Sequence, residues 1–111
     1  MGHLSTHVLD TSRGRPAAGI RITLQSAAGG DLAEAVTDDD GRAAQIGAGA
    51  GADGLAAGTY RLRFDTGSYF AAQEVTGFYP EVLVTFVVEG DGHVHVPLLL
   101  SPYGYTTYRG S

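Results

Sequence analysis

Cysteine is missing from this chain of 111 residues, and tryptophan is missing with it. Without cysteine there is no disulfide framework and no thiolate metal centre, and a reducing compartment is the natural setting. Lysine is missing too: all seven positive residues are arginine, scattered along a chain of net charge −5. Phosphate binding needs a concentrated basic face, so nucleic acid is not the expected partner. No apolar run is long enough to span a bilayer, and Met1 to His7 lacks the basic start and continuous apolar stretch of a secretory leader. The expectation is a cytoplasmic protein that touches no membrane.

What is present points to one globular domain covering 1–111. Hydrophobic residues make up 43% and charged residues 17%, a balance that supports a core, and 17 glycines favour many short elements joined by turns. Ser5 to Asp10 reads as a first strand. Gly19 to Gln25 alternates cleanly, with Ile20, Ile22 and Leu24 inward. Leu32 to Thr37 is broken by Asp38-Asp39-Asp40-Gly41, whose last two residues suit a tight hairpin, and Arg42 to Ile46 would return as its partner. Gly47 to Gly58 reads as a glycine–alanine loop. Thr59 to Asp65 alternates again. Ser68 has N-cap chemistry, which predicts one short helix over Tyr69 to Val75. Glu81 to Val88 and Val94 to Leu100, linked by Glu89-Gly90-Asp91-Gly92, carry the strongest hairpin signal. Pro97 cannot donate a ladder hydrogen bond, which predicts an edge strand. Seven or eight short strands with one helix imply a β-sandwich.

Candidate chemistry concentrates at the end of the chain. His93 and His95 point to one face of their strand, while Val94, Val96, Leu98 and Leu100 point to the other. With His7 they admit three readings. They are incidental surface residues; they are metal ligands; or they are an acid–base group that takes a proton from water. Metal binding fits worst, since no carboxylate stands at a telling spacing. Acid–base work needs a partner for developing negative charge, and Arg42 at the mouth of the Asp40-Gly41 turn is a candidate. The aspartates at 38 to 40 suit turn chemistry better than a paired carboxylate site. No phosphate-binding loop or nucleophile motif is present.

Several blocks resemble the transthyretin-like family: Leu4-Ser5-Thr6-His7-Val8-Leu9-Asp10, Thr37-Asp38-Asp39-Asp40-Gly41-Arg42, Phe78-Tyr79-Pro80-Glu81-Val82 and His93 to Tyr105. The closing Tyr108-Arg109-Gly110-Ser111 resembles its enzyme branch, the 5-hydroxyisourate hydrolases, rather than its hormone carriers. The resemblance implies an all-β, transthyretin-like sandwich of two four-stranded sheets with one short helix, assembled as a homotetramer with sites at the dimer–dimer interface. It implies a site of His7, Arg42, His95 and the tail Tyr108, Arg109, Gly110 and Ser111. It also implies hydrolysis of 5-hydroxyisourate to 2-oxo-4-hydroxy-4-carboxy-5-ureidoimidazoline without metal or cofactor. His7 and His95 both suit the base, and a terminal carboxylate beside His95 would set its tautomer. A small-ligand carrier without turnover is the rival implied by the same fold.

Overall fold

Strand β1 (Gly2–Asp10) buries Leu4, Thr6, Val8 and Asp10 and leaves Ser5, His7 and Leu9 only partly covered. This period of two sets one face on a core and keeps the other open for polar side chains. The computed structural model describes residues 2–44, 46, 55–89 and 92–110. Along the chain follow β2 (Arg15–Pro16), β3 (Arg21–Ser26), β4 (Asp31–Val36), β5 (Arg42–Ala43), β6 (Gly58–Phe64), helix α1 (Thr66–Ala71), β7 (Val82–Val88), β8 (Gly92–Ser101) and β9 (Gly104–Thr107).

Two sheets face each other. One is antiparallel with order β4-β3-β6-β7; the other runs β2-β1-β8-β9, with β5 also pairing β1. Leu4, Val8, Val96 and Leu98 meet Ile22, Leu24, Leu62 and Phe64 in the core between them. Each such side chain contributes about 1.5–3 kcal/mol on burial. These layers, not the open face of β1 and β8, therefore hold the sheets together, and that face is free to carry charge. Among the described residues no helix is long and apolar enough to cross a membrane. The two-sheet sandwich with one short helix is the architecture expected from the sequence, except that the sheet of β1 has five strands rather than four because both β2 and β5 pair β1.

The pairings depart from expectation in three places. β7 and β8 are not a hairpin: β7 pairs β6, while β8 lies between β1 and β9. A glycine-rich link serves a step between layers as well as a turn within one, and the step lets the two apolar runs face across the core. Gly90 and Asp91 of that link lie outside the described residues, as do 47–54 of the expected glycine–alanine loop. Likewise β5 pairs β1 instead of returning along β4. The Asp38–Gly41 turn makes that crossing: Gly41 sits at φ +74°, its N–H donates to the Asp38 carbonyl at 2.9 Å, and its own carbonyl accepts from Val8 N–H at 2.7 Å. The Asp38 carboxylate accepts from the backbone N–H of Asp40 at 2.9 Å and of Arg42 at 3.0 Å, the turn chemistry expected of this run.

Third, β8 is an interior strand despite Pro97. The Pro97 carbonyl accepts from the Thr107 hydroxyl at 2.7 Å, so its nitrogen also faces the β9 side. There it falls in the break between the Leu98↔Thr107 pair and the isolated His95↔Gly110 bridge, where no ladder donor is needed. The helix, too, starts earlier than expected. Asp65 rather than Ser68 is the N-cap, its carboxylate accepting from Ser68 N–H at 3.2 Å.

Candidate active site

β1 and β8 run parallel and in register from Gly2↔Gly92 to Asp10↔Leu100. His3 is thereby set beside His93, Ser5 beside His95 and His7 beside Pro97. On the other side of β1, Arg42 pairs directly with His7. Residues so paired hold their Cβ atoms about 4.5–5.5 Å apart. His7, Arg42 and His95, expected to form one site, therefore occupy one open face, with His7 diagonal to His95. His93 shares it.

Hydrogen bonds fix which nitrogens are free. His7 donates from Nε2 to the Asp40 carbonyl oxygen at 2.9 Å, because a carbonyl only accepts; its Nδ1 takes no part in that bond. His95 Nδ1 and His93 Nε2 each lie 2.7 Å from the Ser5 hydroxyl, and the two rings stack with centroids 6.2 Å apart. Among the described residues His95 Nε2 has no hydrogen-bond partner. Burial is the largest reason His95 titrates below the ordinary imidazole value. The charges of His93, His7 and Arg42 act in the same direction, against a hydrogen bond to the Ser5 backbone. At neutral pH the ring is uncharged and can accept a proton.

The tail is divided. Gly110 donates its N–H to the His95 carbonyl at 2.9 Å, and a Cβ there would stand 2.5 Å from His95 Cδ2 and 3.1 Å from Pro97 Cγ. Only glycine fits against that ring. Tyr108 and Arg109 are exposed and lie to one side, where with His95, Val84, Phe86 and Val94 they line a cavity of about 300 Å³. Neither hydrogen-bonds His7 or Arg42 among the described residues. Ser111 falls outside them. Ser5 is the residue that sequence reasoning passed over; its one signal is its place two residues before His7 on the same strand face.

A larger cavity of about 760 Å³ lies beside α1, lined by Arg13, Arg15, Arg21, Asp39 and Asp65 among others. Its carboxylates largely offset its guanidinium charge, and no imidazole reaches it. Among the described residues no three His, Asp or Glu side chains converge as a metal centre.

By class this is a two-sheet β-sandwich that presents two imidazoles and a guanidinium on one open sheet face. The chain is a member of the HIUase/Transthyretin family, which it matches over residues 4–110. It is 46% identical to a 5-hydroxyisourate hydrolase of Caulobacter vibrioides over 119 aligned positions, with all of both chains covered. The solved structure of Klebsiella pneumoniae 5-hydroxyisourate hydrolase superposes with a TM-score of 0.89 at 40% identity, again covering all of both chains. Sea bream transthyretin, solved in complex with thyroxine, superposes with a TM-score of 0.83 at 33% identity, covering 96% of this chain and 93% of that one.

Proposed function

We propose that this protein hydrolyses 5-hydroxyisourate to 2-oxo-4-hydroxy-4-carboxy-5-ureidoimidazoline, in the cytoplasm and without metal or cofactor. The observation that carries the reading is His95: an uncharged imidazole with Nε2 open, beside His7 and Arg42, in a chain alike over its whole length to 5-hydroxyisourate hydrolases. In this mechanism His95 Nε2 takes a proton from water as the water oxygen bonds to a ring carbonyl carbon. The adjacent ring C–N bond then breaks, the proton passes from His95 to the departing nitrogen, and the carboxylic acid left behind releases its own proton to solvent to become a carboxylate. Arg42 meets the anionic ring and the charge growing on the carbonyl oxygen with a planar fork of donors. His7, committed through Nε2 to the Asp40 carbonyl, steadies substrate from Nδ1.

Tyr108, Arg109 and Ser111 are read as substrate contacts supplied across an interface between facing copies of a homotetramer. Exposed apolar side chains on the edge strand β7, Leu83 and Val87, support association. The likeness to a thyroxine-bound transthyretin keeps one rival, a carrier that holds a flat ligand without turnover. A single assay separates the two. Hydroxyisourate is made in the cuvette with urate oxidase and its absorbance decay followed. Acceleration at micromolar protein is expected, and an unchanged decay would leave the carrier.

A further inference from the structure

We infer that Ser5 and His93 form a hydroxyl–imidazole relay that holds His95 with its hydrogen on Nδ1 and its lone pair on Nε2. Ser5 is here a positioning residue, and the inference deepens the functional reading above without repeating it.

The basis is a count of protons. Ser5 Oγ lies 2.7 Å from His95 Nδ1 and 2.7 Å from His93 Nε2. A hydroxyl owns one hydrogen, so it can donate to only one of two neutral rings and must accept from the other. Two arrangements satisfy both contacts. In one, His93 donates to Ser5 and Ser5 donates to His95 Nδ1, which places the remaining hydrogen of His95 on Nε2 and removes its lone pair from the open face. In the other, His95 donates from Nδ1 to Ser5, Ser5 donates to His93 Nε2, and His95 Nε2 stays unprotonated.

The functional reading selects the second. A ring that takes a proton from water keeps its lone pair on the nitrogen that meets no protein group among the described residues, Nε2. It then carries its hydrogen on Nδ1, which faces Ser5. His93 is exposed and so exchanges freely with water, which makes it a suitable far end for a chain starting at a half-covered ring. The β1–β8 register is what permits this: Ser5↔His95 and His3↔His93 are adjacent pairs two residues apart, so one hydroxyl reaches both rings. The charged and titratable groups facing His95 are His93 from its own strand, His7 from β1, Arg42 from β5 and, around the edge cavity, Tyr108 and Arg109.

The test uses the full chain and two independent readouts. Long-range proton–nitrogen NMR of protein labelled in histidine nitrogen reports the tautomer of His95 without any substrate. The expected result is Nδ1–H in the wild type, a mixed population in Ser5→Ala, and restored Nδ1–H in Ser5→Thr, which keeps the hydroxyl. In the hydrolysis assay Ser5→Ala should lower kcat about tenfold at little changed KM, with recovery in Ser5→Thr. His93→Phe, which removes the acceptor but not the ring, should also redistribute the His95 tautomer. A wild-type His95 in the Nε2–H form, or a tautomer unchanged by Ser5→Ala, would overturn the relay. Because the NMR arm needs no turnover, an inactive wild type with the expected tautomer would count against the hydrolase reading alone.

Discussion

His95 is held by two opposed influences. Burial and the neighbouring charges of His93, His7 and Arg42 lower its affinity for a proton, while the Ser5 backbone raises it, and the first set wins. The free ring therefore stays basic in form down to a pH below its ordinary value of 6.5. The acid limb of kcat/KM is expected below that value, with a flat profile above it; a limb centred above it would contradict His95 as the base. Stability carries the same sign. The folded value lies below the unfolded one, so the unfolded chain binds more protons in the window beneath 6.5, and stability rises as pH climbs through it. Arg42→Lys should cut kcat/KM at least about tenfold, since an ammonium cannot reproduce the planar fork. Full activity in that variant would reduce Arg42 to a turn residue. Gly110→Ala places a methyl group against His95 Cδ2 and Pro97 Cγ. It should depress activity while changing stability by no more than about 1 kcal/mol, as read by absorbance decay beside urea unfolding. Unaltered turnover would mean the ring tolerates the shift.

Among the elements, the end of β1 is tied to α1 through Asp10. Burial of this carboxylate opposes ionisation, yet four hydrogen bonds together outweigh it: from the Ser12 hydroxyl at 2.6 Å, Tyr69 at 2.8 Å, and the backbone N–H groups of Ser12 and Arg13 at 3.1 and 3.2 Å. Its affinity for a proton falls below the ordinary 3.8, so the stability it supplies is present above that pH and is lost as pH drops through the window beneath it. Asp10→Asn should cost about 1.5–3 kcal/mol near neutrality and flatten the acid dependence of the urea midpoint; an unchanged midpoint would sink this account. The strands themselves were legible because alternation such as Ile20, Ile22 and Leu24, or Tyr60, Leu62 and Phe64, needs only one buried face. Their partners were not. Glu89 to Gly92 looks the same whether the chain turns back or changes layer, and Pro97 signals an edge only until the position of its missing N–H is known. The role of Ser5 was hidden for a related reason. A serine on an open strand face is commonplace until the β1–β8 register sets it between two imidazoles. His7, Arg42 and His95 were recoverable because the motifs around them resemble a known family.

For the molecule as a whole, both sheets depend on one core. Phe64 is fully buried at its centre, and Phe64→Ala should cost about 3–5 kcal/mol and unfold both layers in one transition. Two separated transitions by calorimetry would show that the sheets fold independently. Size-exclusion with light scattering is expected to return the mass of four chains. A monomer would leave the proposed contacts of the tail with no facing copy to receive them.

The pairing of β1 with β8 joins residues such as Thr6 and Val96, which are 90 positions apart. A ribosome must therefore deliver nearly every strand before β1, which meets β2 and β5 early, finds β8, and such long-range closure is slow. Until then Ser5 and His7 have no imidazole from β8 beside them. On the proposed hydrolase reading, a nascent or half-assembled molecule would then turn over no substrate, and the onset of turnover during refolding would serve as a clock for completion of the last seam.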